Sequence, residues 1–241
     1  MSENLLTLQG VHTHIGAYHI LHGVDLAVPR GQLTMLLGRN GAGKTTTLRT
    51  IMGLWKASKG SIRFKGDEIA GTATPRIAGM NVAYVPETMG IFSDLTVKEN
   101  MLLAARSART AAQIDPQRLQ WIFSLFPAVE KFWNHPAGKL SGGQKQMLAV
   151  ARAIVEPRDL LIVDEPSKGL APAIINNMID AFAQLKGSGV TLLVVEQNIN
   201  FAKRLGDTVA VMDNGQVVHA GSMKELAEDE ALQHKLLGLA L

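Results

Sequence analysis

Residues 38 to 46 read GRNGAGKTT. Glycines closing on Lys44-Thr45, with the apolar run QLTMLLG before them and helical spacing after, leave the backbone few options. Bare glycines let successive N–H groups wrap onto one anion, and the following helix adds the positive end of its dipole. Such a loop belongs at the carboxyl end of a buried strand, so it commits the chain to a strand–loop–helix unit within a covered parallel sheet. A tight βα turn would account for Asn40-Gly41, but not for a lysine and a threonine at the helix start. The candidate phosphate cradle is Gly38, Arg39, Asn40, Gly41, Ala42, Gly43, Lys44, Thr45 and Thr46. Lys44 would reach β- and γ-phosphates, and the Thr45 hydroxyl would ligate Mg²⁺.

The remaining pattern agrees with an α/β fold. LLTLQGV, HILHGVDLAV and QLTMLLG read as three successive strands. Residues 44 to 52 read as a helix closed by Gly53, and GSIRFKGDEI as a strand pair around a turn. NVAYVPE is a buried-type strand ending at Pro86. From about Met89 to about Lys139 the periodicity is helical, with a capping box at Thr96-x-x-Glu99 and a second helix over 116 to 126. After Ser141 the order is helix, strand (160 to 163), helix (172 to 186), strand (190 to 195), short helix and strand (208 to 212). Asn214-Gly215 then predicts a hairpin into QVVHAG, and Ser222-x-x-Glu225 a cap for a helical tail. Alternating apolar strands and helices predict a parallel sheet covered on both faces.

Several classes of function are disfavoured. With 241 residues, 46% hydrophobic and 19% charged, the chain suits one globular domain, or one domain with an inserted lobe. The net charge is +3 with no lysine–arginine block, so no nucleic-acid partner is expected. Without cysteine there are no disulfides and no thiolate metal sites. MSENLLTLQG has no basic n-region, and runs such as LLIV and VTLLVV are strand-length, so neither a signal peptide nor direct membrane insertion is expected. His12, His14, His19 and His22 fall within eleven residues. A metal site there is conceivable, against the simpler expectation of outward polar positions on an edge sheet. Trp55, Trp121 and Trp133 read as packing residues.

Two further stretches carry chemistry. DLLIVDEP (159 to 166) is an apolar strand ending in two acids. Asp164, at the strand's carboxyl end, would hold Mg²⁺ through a water, and Glu165 would polarise the water that attacks a γ-phosphate. KLSGGQKQM (139 to 147) opens a helix with Ser141-x-x-Gln144, a capping box. A cap needs only Ser141. Two adjacent glycines cost helix stability, and their bare N–H groups favour an anion.

GRNGAGKTT, then LSGGQ, then LLIVDEP, in this order and spacing, resemble the ATP-binding subunits of ABC transporters over nearly the whole chain. The resemblance implies a P-loop NTPase (RecA-like) α/β core with an N-terminal antiparallel β lobe. It also implies an inserted helical lobe at about 89 to 140, all within one ATP-binding domain over 3 to 238. It implies ATP and Mg²⁺, and ATP hydrolysis with Glu165 and Gln197 as catalytic residues. Mg²⁺ would be held by Thr45, Glu87 and Asp164. It implies a head-to-tail pair, of two copies or of this chain with a related one, in which Leu140, Ser141, Gly142, Gly143 and Gln144 grip the partner's ATP. More narrowly, YVPE, LTVKEN, DEPSKGLAP and VVEQN are similar to the ATPase subunits of branched-chain or hydrophobic amino-acid importers, for which no extra regulatory domain is expected after residue 241. That implies separate membrane permease subunits and a peripheral place on the cytoplasmic face of the inner membrane. The alternatives are a soluble non-transport ABC ATPase and a weakly hydrolysing, nucleotide-dependent interaction module.

Four positions depart from the general family pattern. Glu87 stands where glutamine is usual, and Gln197 where histidine is usual, although the amino-acid importer subgroup resembles this chain at both. A carboxylate at 87 binds Mg²⁺ but repels the γ-phosphate, and an amide at 197 cannot become cationic. Ile15 occupies the place of the aromatic that stacks on adenine, with Tyr18 or His14 as substitutes. Ser167-Lys168-Gly169-Leu170-Ala171-Pro172 lacks the usual aspartate, and the Lys168 charge must find phosphate or carboxylate.

Overall fold

A computed structural model describes residues 3–105, 108, 110 and 113–237, built on two sheets. The first is antiparallel. In it β1 (Asn4–Ile15) lies between β2 (Tyr18–Pro29) and β4 (Ala57–Phe64), and β4 pairs with the short β5 (Asp67–Glu68). The second has the order β10 (Gln216–Ser222), β9 (Thr208–Asp213), β3 (Leu33–Gly38), β8 (Thr191–Glu196), β7 (Leu160–Asp164), β6 (Val82–Val85). All its neighbours are parallel except the edge hairpin β9–β10.

The alternation of strand side chains divides the interior in two. Leu33, Met35 and Leu37 of β3, with Leu161, Val163, Leu192 and Val194, face one core. That core is roofed by α3 (Val97–Ala104), α4 (Pro116–Leu125), α5 (Pro127–Lys131), α6 (Gly142–Ala153), α7 (Pro172–Gly187) and α8 (Ile199–Leu205). Leu36, Ile162, Leu193 and Val195 face the other core, shared with β1, β2, β4, α1 (Lys44–Ile51) and α2 (Thr74–Gly79). A sheet covered on both faces requires strands that are apolar throughout, and β3, β7 and β8 are fully buried. The chain ends in α9 (Met223–Glu228) and α10 (Glu230–Leu237).

Both capping boxes form. Thr96 Oγ1 accepts from Glu99 N at 3.2 Å, while Glu99 Oε2 accepts from Thr96 N at 2.8 Å. Ser141 and Gln144 make the same exchange at the head of α6. The pattern differs in three places. No helix is expected at 74–79, where α2 starts on Thr74-Pro75; proline fits a first turn, but six residues carry no readable period. The helix expected over 116 to 126 stops at Leu125, and Pro127 begins a new one, because proline cannot continue the first. Ser222 caps α9 through Lys224 N at 3.2 Å and not through a box with Glu225.

The histidines gather across the β1–β2 register, His12 opposite His22 and His14 opposite His19. The His14 and His19 rings stack at 4.1 Å with 4° between planes, and His12 Nδ1 lies 3.0 Å from His19 Nε2. The His19 and His22 rings lie 4.0 Å apart, tilted by 53°. Trp121 stacks under the Arg118 guanidinium and Trp133 meets Phe123 edge-on, whereas Trp55 lines an open cleft described below.

The Asn214-Gly215 turn is left-handed at both residues, with φ 45° and 76°. It ties three elements together: Gly215 O accepts from His22 N at 2.8 Å, and Gly215 N donates to Ala42 O at 3.0 Å. A Cβ at Gly215 would stand 2.1 Å from Ile20 O. Gly215→Ala is therefore expected to destabilise the fold by about 2–4 kcal/mol through clash and strain together. Gly71→Ala, at φ 76° with nothing within 4 Å, should cost only about 1 kcal/mol of strain. Urea unfolding of the two variants measures the difference.

Candidate functional site

The parallel register brings the site together. Leu37 of β3 is level with Glu196 of β8, and Val195 of β8 with Asp164 of β7. β6 runs beside β7, with Val85 level with Val163. Gly38, Gln197, Glu165 and Glu87 thus all stand at the carboxyl end of the sheet.

The glycine loop begins beneath the chain's own backbone. Gly38 sits at φ 148°, and a Cβ there would meet Met212 O at 2.3 Å, so only glycine fits. Gly43, at φ 101°, packs against Leu21 and the Gly215 turn. Gly41, at φ 81°, has open space around its Cβ position. Arg39, Asn40 and Gly41 are exposed, Ala42 is buried, and Thr46 accepts a bond from Thr50 Oγ1 through its carbonyl. Lys44 is 5% exposed and donates to Gly38 O at 2.8 Å and Arg39 O at 3.0 Å. Burial holds its ammonium below the ordinary lysine range, against the pull of Glu165, Asp164 and Glu196.

Opposite it stand the acids. Asp164 is fully buried and accepts from Thr45 Oγ1 at 3.2 Å and Tyr84 OH at 3.4 Å. Burial pushes its carboxyl up, with Glu165 and Glu87 adding to the rise, and the Thr45 bond offsets part of it. Burial and the Asp164 charge likewise push the Tyr84 phenol up to about 12. Glu165 has a left-handed backbone, φ 48°, which a non-glycine residue adopts only where its surroundings impose it. Its Oε1 accepts from Gln197 Nε2 at 2.7 Å and lies 3.8 Å from Lys44 Nζ. The same Gln197 amide donates to Asn40 Oδ1 at 2.7 Å, joining the glycine loop to the acid. Glu87 is exposed, and its Oε1 lies 2.5 Å from Lys168 Nζ. Lys168, raised by bonds to Glu87 and then Glu165, also stands 3.3 Å from Glu165 Oε2. The carboxylate expected as a metal ligand at 87 is therefore paired with a cation from the next loop.

One residue of the site is absent from the sequence expectations. Glu196, 2% exposed, accepts from Ser167 N at 2.9 Å, Gln197 N at 3.1 Å and Asn198 N at 3.2 Å. It clamps the loop after Glu165 to the loop carrying Gln197. Its only sequence signal is an acid ending the apolar run VTLLVV.

Thr45, Asp164, Glu165, Gln197, Asn40, Lys44 and Glu87 are brought together. The first turn of α6 is not: among the described residues no hydrogen bond joins Leu140, Ser141, Gly142, Gly143 or Gln144 to the glycine loop. Ser141 and Gly142 are exposed. The two glycines have different reasons. A Cβ on Gly143 would stand 2.6 Å from Ile174 Cγ2 of α7, so packing requires that glycine. Gly142 has nothing within 4 Å and is bare toward solvent. Ile15 and Tyr18 pair at the tip of the β1–β2 hairpin, Tyr18 76% exposed. Beside the site opens a cleft of about 760 Å³ lined by Arg49, Trp55, Tyr84, Met89, Ala104 and Arg152. No helix among the described residues is long and apolar enough to cross a membrane.

The buried Asp164 carries a measurable cost. Its folded pKa lies above its unfolded value, so its contribution to stability is present below the unfolded value and is lost as pH rises through the folded one. At neutral pH the wild type therefore carries a buried charge whose hydrogen-bond donors, among the described residues, are the Thr45 and Tyr84 hydroxyls. Asp164→Asn is expected to raise Tm by about 2–4 °C at pH 7, a gain that shrinks toward pH ~4. Calorimetry at the two pH values checks it.

Comparison with known proteins places this geometry. The ABC transporter family profile matches residues 21–168. The high-affinity branched-chain amino acid transport ATP-binding protein BraG of Pseudomonas aeruginosa is 38% identical over 234 residues, 97% of this chain and 100% of the relative. The probable branched-chain amino acid transport ATP-binding protein LivF of Archaeoglobus fulgidus is 33% identical over 92% of this chain and 93% of its own length. A solved ATP-binding subunit of an ABC transporter superposes with a TM-score of 0.80 at 28% identity, covering 97% of this chain and 96% of that one. With its glycine loop, its acid-ended strand and its serine-led helix all inside this match, the chain belongs to the ABC transporter family, as an ATP-hydrolysing nucleotide-binding cassette.

Proposed function

We propose that this chain is the ATP-binding subunit of an importer of amino acids, branched-chain ones in the first instance, working with separate membrane permease subunits. The substrate class rests on BraG and LivF, whose names state branched-chain amino acid transport and which align over nearly their whole lengths. The ATP-binding domain spans 3–238, with the helical segment at about 89–140 as its inserted lobe.

The observation that carries the chemistry is the bridge from Asn40 through Gln197 to Glu165, with Lys44 alongside. ATP lies on residues 38–46, and Lys44 turns from the Gly38 and Arg39 carbonyls to the β- and γ-phosphates. Glu165 accepts a hydrogen bond from the water whose oxygen attacks the γ-phosphorus, giving ADP and phosphate. Gln197 holds that carboxylate and offers an amide to the phosphate. The oxygen donors of Thr45 and Asp164 suit a hard cation, and Thr45 Oγ1 already meets Asp164 Oδ1. Mg²⁺ held there would neutralise phosphate charge, with Glu87 as the third oxygen donor beside them. The adenine ring packs near Ile15 and Tyr18.

The exposed first turn of α6, apart from its own glycine loop, supports a second ATP-binding subunit placed head to tail, its ATP capped by Leu140 to Gln144 of this chain. The cleft beside Tyr84 and Met89 supports docking of a permease helix, and hence a peripheral place on the cytoplasmic face of the inner membrane.

Glu165→Gln is expected to trap an ATP-bound dimer, visible by light scattering at saturating ATP, with phosphate release reduced at least 100-fold. A variant that stays monomeric under those conditions overturns the shared-site reading. Lys44→Ala should abolish tight ATP binding by calorimetry. Phosphate release from the wild type should rise when permease subunits are added.

A further inference from the structure

Lys168 occupies a place that its own loop explains only in part. It lies three residues beyond Glu165 in a tight turn, with Lys168 N donating to Glu165 O at 3.2 Å and Gly169 left-handed at φ 71°. The turn is anchored from below, since Ser167 N is held by buried Glu196. That anchoring aims an otherwise exposed lysine side chain back across the site. Its ammonium lies 2.5 Å from Glu87 Oε1 and 3.3 Å from Glu165 Oε2. An isolated surface ion pair is worth little. This one bridges two loops 81 residues apart and touches Glu165, whose side chain is only 8% exposed.

The local charge gives the contact a purpose. Asp164, Glu165 and Glu87 place three carboxylates at the sheet edge, and the lysines in contact with them are Lys44 and Lys168. A triphosphate must enter this field. Without Lys168, Lys44 would be the one lysine left in contact with these carboxylates to meet the incoming phosphates, with buried Glu196 acting on it as well.

We propose that Lys168 is a positioning residue of the ATP site: its ammonium holds Glu87 and Glu165 together and offsets the negative charge that a glutamate at position 87 brings to the triphosphate. Glu87 and Lys168 then act as one neutral unit at the end of β6. The inference rests on the nucleotide site proposed above.

The test is ATP affinity by titration calorimetry in EDTA, where no divalent cation masks the charge. Lys168→Met is expected to weaken ATP binding roughly five- to ten-fold, and Lys168→Arg to stay within about two-fold of wild type. Adding Glu87→Gln to Lys168→Met should restore most of the lost affinity, and the gap between wild type and Lys168→Met should narrow at high salt. A role confined to folding would show neither the rescue nor the salt effect. The inference is overturned if Lys168→Met binds ATP as tightly as wild type, or if its loss persists unchanged with Glu87→Gln. Failure of the wild type to bind ATP with Mg²⁺ restored, or Lys44→Ala binding as well as wild type, would instead overturn the nucleotide site itself.

Discussion

The level alignment of β3, β8 and β7 is the constraint on which the site depends. Leu37, Glu196 and Asp164 end neighbouring parallel strands within one residue of register of each other. Each strand is buried on both faces, so a slip of one residue would turn every side chain toward the wrong core. The apolar interior therefore fixes the relative positions of the phosphate loop, the acid pair and the Gln197 loop to within a hydrogen bond's length. Gly38 adds a second lock, because β9 passes so close that no side chain could be carried there.

The same edge concentrates charge. Four carboxylates, of Glu87, Asp164, Glu165 and Glu196, meet there; Glu87 is exposed, the other three are buried, and two of these, Asp164 and Glu196, are raised chiefly by loss of water. What keeps them tolerable differs from one to the next. Glu196 is surrounded by backbone N–H groups, Asp164 by hydroxyls, Glu165 by an amide and two ammonium groups, and Glu87 by Lys168. Only Glu196 is satisfied by groups that cannot leave. The others are held by side chains that can exchange them for phosphate, water or a cation, so the fixed clamp and the exchangeable site are built from the same residue type.

Much of this was legible in the residues. The glycine loop was readable because Lys44 and Thr45 at a helix start have no structural excuse, whereas the antiparallel lobe was expected only from the family resemblance, since β4 joins β1 across β3 and α1. Both capping boxes were readable because their partners lie three residues apart. What escaped depends on distant contacts. Glu196 owes its role to N–H groups of two loops, one of them 29 residues away. Gly143 looks like half of an anion cradle, yet Ile174 of another helix already demands a glycine there. The Lys168 charge called for a phosphate or a carboxylate, but that it would find Glu87 follows only from β6 and β7 lying side by side. Trp55 looked like packing and instead lines the cleft.

Tyr84 joins the two halves of the molecule's chemistry. Its ring lines the cleft, and its hydroxyl donates to Asp164 Oδ2. Burial beside Asp164 keeps the phenol protonated through the physiological range, so it remains a donor to that carboxylate. Three residues farther along, the strand end turns through Glu87, bound to Lys168, and Met89, left-handed at φ 63° on the cleft wall. A helix seated in the cleft and a triphosphate seated on the glycine loop would thus both bear on one short segment, 84 to 89, the first at Tyr84 and Met89 and the second through Asp164 and Glu87. Neither could shift that segment without altering what the other meets, which is the physical requirement for coupling between two sites. The cleft needs no separate signal path to the acids, because strand β6 is the wall of one and the edge of the other.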